Sequence, residues 1–193
     1  MLSSDRRLHF LAWLRHPVAV GNPFASGRGL CKAMAAQLHV TPDEYVVEIG
    51  AGNGAVTKSI LKAGIKPEKL IIIERDPKFR NELQRKYPDV HVEQGDAKDI
   101  ATILKARGIT EVAAVVSSLP LLNMPHSLRH AIVQACFHVL KRDGQYIQYT
   151  YGFVSPVPKR NQTEIGIDGQ VKKFILLNIP PARVWSYKAK ELA

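Results

Sequence analysis

From Tyr45 onward the chain alternates short apolar runs with helix-like segments, and this alternation restricts its fold more than any other feature. The runs YVVEIG (45–50), KLIIIE (69–74), VHVEQG (90–95), VAAVVSS (112–118) and QYIQYTY (145–151) read as strands. Between them lie the helix-like TKSILKAGI (57–65), PKFRNELQRKY (77–87) with proline in its first turn, and DIATILKARG (99–108). The amphipathic SLRHAIVQACFHVL (127–140) follows, closed by Lys-Arg-Asp-Gly at 141–144. Strands separated by helices imply right-handed crossovers and a parallel sheet covered on both faces. The last two runs, KKFILLN (172–178) and RVWSYKAK (183–190), are joined by only a few residues including Pro180 and Pro181. So short a link holds no crossover helix, so these two are expected to pair antiparallel. The expected fold is α/β: a seven-stranded sheet with helices on both faces and a C-terminal antiparallel hairpin.

At 193 residues the chain suits one domain with a sizeable core. No signal peptide pattern occurs, and the longest nearly uncharged run, 112–125, is too interrupted by serine and proline to span a bilayer. The two cysteines, Cys31 and Cys136, sit in helical patterns without paired spacing and read as reduced core thiols of a cytosolic protein. The seven histidines show no ligand cluster, so no metal is expected. The net charge of +10 is uneven: residues 1–40 hold five basic and one acidic side chain, 41–140 thirteen and twelve, and 141–193 nine and four. Basic ends on a near-neutral body suggest an anionic partner, either nucleic acid or a membrane surface.

The stretch VVEIGAGNGAVT (46–57) sets glycines at 50, 52 and 54 directly after a buried strand. Glycines there let the backbone approach a ligand lying over the strand's carboxyl end. The spacing is not the dinucleotide G-x-G-x-x-G, and Glu48 on the strand would repel a pyrophosphate but favour an ammonium group. The pattern resembles motif I of class I S-adenosylmethionine-dependent methyltransferases, in which this loop holds the cofactor's amino acid portion. Glu74 ends the second strand, where a carboxylate can accept both ribose hydroxyl protons. By the same resemblance Asp96 contacts the adenine amino group. The implied cofactor set is Glu48, Gly50, Ala51, Gly52, Gly54, Glu74, Arg75, Asp96, Ala97, Ser117, Ser118 and Leu119.

The acceptor is expected at the end of the fourth strand. Enzymes that methylate amines on planar bases place Asn or Asp, then Pro, then an aromatic there, and the aromatic stacks on the base. Here Ser118-Leu119-Pro120-Leu121 offers neither the amide nor the aromatic, which weighs against a nucleobase. The blocks SSLPLLNMP (117–125), QYTYGFVSPVP (148–158) and NIPPARVWSYK (178–188) are similar to the bacterial phospholipid N-methyltransferase family. That resemblance extends to FLAWLRHPVAVGNPFASGRGL (10–30), where Gly21-Asn22-Pro23-Phe24-Ala25-Ser26 shifts the family's proline. It implies methylation of an aminolipid amine, most readily phosphatidylethanolamine toward phosphatidylcholine. An ornithine lipid, RNA adenine, or a non-catalytic binding role remain the alternatives.

For such an amine, Tyr149 and Tyr151 are the candidate catalytic residues, leaving the fifth strand on one face, either to stabilise positive charge or simply to pack. Asn123 can fix the amine or cap the turn before Pro125. In residues 5–16, DRRLHFLAWLRH, Phe10, Trp13 and Leu14 share a helical face flanked by Arg6, Arg7 and Arg15. This reads either as a membrane-interface helix or as a plain packing helix, and the resemblance favours the membrane. The domain division is then an N-terminal helical segment (1–40) and a methyltransferase domain (41–193). The expected location is cytoplasmic, at the inner face of a membrane, with nucleic acid not expected as partner. The segment 159–171, with two glycines, reads as a lid or mobile connection.

Overall fold

The computed structural model describes residues 23–190, except 152, 177 and 179. The expected membrane helix at 5–16, and Gly21 and Asn22, therefore lie outside the described residues. In chain order the elements are α1 (Pro23–Ala35), β1 (Val46–Ile49), α2 (Ala55–Lys62), β2 (Leu70–Glu74), α3 (Pro77–Lys86), β3 (His91–Gln94) and α4 (Ile100–Lys105). They continue with β4 (Val112–Ser117), α5 (His126–Val139), β5 (Leu140–Thr150), α6 (Lys159–Ile165), β6 (Ile167–Ile175) and β7 (Ala182–Ala189).

One seven-stranded sheet has the order β3-β2-β1-β4-β5-β7-β6. Strands β1 to β5 are parallel, while β7 runs antiparallel to both β5 and β6. This is the α/β architecture expected from the strand–helix alternation, including its antiparallel end. The central strands VVEI, LIIIE and VAAVVS are buried at every position, because helices cover both faces. On one face Val46, Leu70, Ile72, Ala114, Val116 and Ile147 meet Leu30 and Met34 of α1, Val56 and Ile60 of α2, and Leu83 of α3. On the other, Val47, Ile49, Ile71, Ile73, Val115 and Tyr146 meet α4 and α5 through Ile100, Leu104, Ile132, Val133 and Val139. Cys31 and Cys136 belong to opposite cores, both buried and unpaired. Burial raises both thiols, that of Cys31 to about 11.

Two expectations are corrected. The segment 159–171 is not a loop: it forms α6 and the start of β6, which begins at Ile167 rather than 172. Gly166, in the left-handed region at φ +77°, ends α6 and reverses the chain into β6. Gly169 then pairs with Tyr187 of β7, whose ring covers it so closely that an added Cβ would lie 2.2 Å from a ring carbon. The glycines that suggested a loop are thus what the tight turn and the strand pairing require. Likewise Lys141-Arg142-Asp143-Gly144 does not simply close α5. It lies inside β5, as an irregularity between the pairs Val112↔Leu140 and Ala114↔Gln145.

Candidate functional site

Backbone bonds carry the ladder past the strand ends and bring five loops to one edge of the sheet. Gly50 N–H donates to Ile73 O (3.1 Å), Ser118 N–H to Ile49 O (3.0 Å), and Gly95 N–H to Glu74 O (3.2 Å). The loops after β1, β2, β3 and β4 therefore leave side by side, with the exit of β5 next to them. The crevice between β1 and β4 is where the sheet order reverses, the place where open α/β sheets receive ligands.

The glycine loop is shaped from both sides. Gly50 has φ +72°, and the Leu119 side chain lies 2.6 Å from where its Cβ would be. Gly54, φ +77°, is the N-cap of α2 and is walled in by Leu83 and Tyr87. At Gly52 a Cβ would meet nothing within 4 Å, so the middle of the loop is open. From outside, the end of α3 grips the loop: Tyr87 Oη donates to Gly54 O (3.1 Å) and Lys86 Nζ to Asn53 O (3.0 Å).

The predicted acids occupy different depths. Glu74 is nearly buried and ties two loops together, its Oε2 accepting from Gly52 N–H and its Oε1 from Asp76 N–H, both at 3.0 Å. Asp96 is half-buried, opens the turn Ala97–Asp99, and accepts from Lys98 N–H through Oδ1 (3.1 Å). Ala97 is buried behind it, and Arg75 is exposed. Glu48 lies deepest, fully buried on the α2 side of β1. Its Oε2 accepts from the Thr57 hydroxyl (2.6 Å), while Oε1 has no hydrogen-bond partner. Burial pushes its carboxyl up to about 7, against the opposing pull of Thr57. The sequence suggested an open carboxylate beside a ligand; the structure shows a core carboxyl beneath the loop. Ala51 is buried within the loop itself.

At the end of β4, Ser117 Oγ accepts from Leu119 N–H (3.3 Å), and Ser118 Oγ is buried without a partner. Gln148 of β5, not singled out in the sequence, fixes this corner. Its Nε2 donates to Leu119 O (3.0 Å) and Tyr149 O (2.9 Å), and its Oε1 accepts from Tyr146 Oη (3.1 Å). Thr57 and Gln148 were missed because each acts through a tertiary partner, which no local pattern announces. Asn123 ends the turn Leu121–Asn123 and is exposed, and no side chain caps that turn.

Tyr149 and Tyr151 do share a face, with ring centroids 5.3 Å apart at 73°. They lie on the α1 side of the sheet, against the core that contains Cys31. The Tyr151 hydroxyl is held by the side chains of Tyr149 and Asn178, and Asn178 Nδ2 also donates to Pro180 O (2.8 Å). Burial raises both phenols, so they are neutral near pH 7 and do not serve as bases.

A parallel sheet with an antiparallel β7 beside β5, and a G-x-G-x-G loop at its switch point, define a class I methyltransferase. The chain belongs to the methyltransferase domain family, whose model matches residues 46–144, and it is an S-adenosylmethionine-dependent N-methyltransferase. It is 30% identical over 142 residues to ornithine lipid N-methyltransferase of Singulisphaera acidiphila, covering 72% of this chain and 73% of that protein. Over a shorter stretch of 79 residues it is 35% identical to ribosomal RNA small subunit methyltransferase A of Maridesulfovibrio salexigens, covering 41% of this chain but only 29% of that one. The Burkholderia thailandensis 1,6-didemethyltoxoflavin-N1-methyltransferase, solved with S-adenosylhomocysteine, shares the fold at TM-score 0.69 and 13% identity, covering 96% of this chain and 88% of that one.

Two features of this chain fit the cofactor. The open space at Gly52 admits a ligand against the backbone, and Ser118 Oγ is a buried hydroxyl left to be satisfied at the adjoining loop. No helix among the described residues is long and apolar enough to cross a membrane, and no group of three or more His, Cys, Asp or Glu among them is placed to hold a metal.

Proposed function

We propose that this enzyme methylates the amine of a membrane aminolipid, phosphatidylethanolamine first and an ornithine lipid as the alternative within the same class. The observation that supports it best is the corner Ser118-Leu119-Pro120-Leu121: its small hydroxyl and aliphatic side chains offer no flat aromatic platform for a base. The likeness to a lipid-methylating relative over nearly three quarters of both chains points the same way.

Bound S-adenosylmethionine supplies an electrophilic methyl group. The chain's residues do the rest by positioning, the main source of rate in an in-line displacement. The glycine loop and Glu74, with Arg75, Asp96 and Ala97 beside them, hold the donor at the edge of β1 to β3. Ser117, Ser118 and Leu119 close it from β4, where Gln148 Nε2 and Leu121 N–H both donate to Leu119 O and fix the corner. The acceptor amine must arrive neutral, since an ammonium has no lone pair. The electron-rich rings and hydroxyl oxygens of Tyr149 and Tyr151 accommodate the positive charge on the nitrogen after transfer. Asn123, exposed at the same corner, orients the head group. The basic and apolar sequence of 5–16 supports a place for the enzyme at the inner face of a membrane.

The partial likeness to ribosomal RNA methyltransferases favours RNA adenine as the second reading. Purified protein incubated with methyl-labelled S-adenosylmethionine, vesicles of phosphatidylethanolamine and an anionic lipid, and RNA in a parallel tube separates the two. Label is expected in methylated lipid; label confined to RNA would overturn the aminolipid reading. In the same assay Tyr149→Phe and Tyr151→Phe are expected to lower turnover more than cofactor affinity. Normal turnover in both would remove the phenol hydroxyls from catalysis.

A further inference from the structure

Most large apolar side chains among the described residues are buried, yet Phe153 is 80% exposed, Leu176 68%, Val154 63% and Phe174 41%. These are not scattered. The Arg183 guanidinium lies 4.8 Å from the Phe153 ring centre and 5.1 Å from that of Phe174, joining the two phenyl groups into one stack. Arg183 Nη1 also donates to Phe153 O (2.9 Å), and Phe174 pairs directly across from Arg183. Val154 follows Phe153 in the chain, and Leu176 lies two residues beyond Phe174. The stack is therefore a constructed feature of the loop after β5 and the end of β6.

Its position follows from topology. Because β7 is antiparallel to both β5 and β6, the last two run the same way, and β6 ends at the edge where β5 ends. That is also the edge of the glycine loop and of the corner after β4, where Leu122 is exposed as well. Charge completes the description. No Asp or Glu occurs from 144 to 163 or from 169 to 190, whereas Lys172, Lys173 and Arg183 lie within the second interval. A bulge between Val171 and Lys173 breaks the edge strand's register at Lys172, and both lysines are exposed.

We propose that this rim, Phe153, Val154, Phe174 and Leu176 with Arg183, Lys172 and Lys173, is a docking surface for an anionic lipid bilayer. Aromatic and aliphatic side chains enter the interfacial layer while the cations meet lipid phosphates. It is distinct from the segment 5–16, and it faces the opening so that a lipid amine reaches the corner after β4 without its acyl chains leaving the membrane. This orientation rests on the aminolipid reading of the site.

The test uses the full chain and vesicles of phosphatidylglycerol with phosphatidylethanolamine, against pure phosphatidylcholine. Phe153→Ser/Phe174→Ser is expected to weaken partitioning onto the anionic vesicles at least about tenfold. S-adenosylmethionine binding and methylation of a dispersed short-chain aminolipid should be retained. Lys172→Glu/Lys173→Glu should weaken partitioning chiefly at low salt. A polarity-sensitive dye on L176C should shift to the blue with anionic vesicles alone. Unchanged partitioning of both double variants, or no dye shift, would overturn the docking surface while leaving the substrate reading in place. Dissociation of a dimer by the serine variant would overturn it in favour of a second copy of the chain. Loss of RNA binding instead of vesicle binding would overturn it in favour of nucleic acid. Lipid methylation by no form of the enzyme, with vesicle binding intact, would instead sink the aminolipid reading and leave the surface standing.

Discussion

Glu48 shows how burial changes a residue's meaning. A carboxyl pushed up to about 7 stays protonated in the folded chain while the unfolded chain, near 4.5, has already ionised. Its raised value therefore favours the fold below about pH 4.5, and that contribution fades as pH rises through 7. The full swing is roughly 3 kcal/mol. Glu48→Gln keeps a neutral group of the same shape and should remove this slope. We expect its unfolding free energy to exceed that of the native chain at pH 8, with the gap closing by pH 5. Parallel pH profiles for the two proteins, measured by urea unfolding without cofactor, would show that Glu48 ionises freely in the fold. The sequence marked Glu48 as part of the site but not its depth, because strand alternation tells which face a residue takes and not what lies over it.

At the level of elements, local chemistry was legible wherever it was self-sufficient. Asp76-Pro77 announces the start of α3, and there Asp76 Oδ1 accepts from Lys78 N–H (2.8 Å). The continuous apolar runs at β1, β2 and β4 declare strands buried on both faces. The weak places were glycines whose reason lies in a distant partner. Gly169 is tolerated in β6 because the Tyr187 ring fills the space a side chain would take, and Tyr187 in turn shares a hydrogen bond with Ser155 (2.7 Å). Gly169→Ala should push that ring aside and cost roughly 1–3 kcal/mol of stability through overpacking. An unchanged denaturation midpoint would mean that the ring relaxes freely and the glycine is incidental. The same tertiary logic hid Gln148 and Thr57, whose roles exist only once β4 and α2 are in place beside them.

Across the whole molecule, sheet order does what no single motif does: it gathers Gly50–Gly54, Glu74, Asp96 and Ser117–Leu119 from four separate stretches onto one edge. That gathering was legible, since right-handed crossovers between parallel strands leave all the outgoing loops on the same side. The apolar rim at β6 was not, because KKFILLN and GFVSPVP read as ordinary strand and loop until the hairpin folds them together. One further property emerges from the two cysteines. Each thiol is sealed into a different layer, Cys31 on the buried side of α1 and Cys136 on the buried side of α5, so each reacts only when its own layer opens. The chain thus holds two independent clocks for its internal motions. Timed alkylation of the native protein is expected to give two unequal rates, with saturating cofactor slowing Cys31, which shares its layer with the glycine loop, more than Cys136. Equal slowing of both would mean that the two layers open as one.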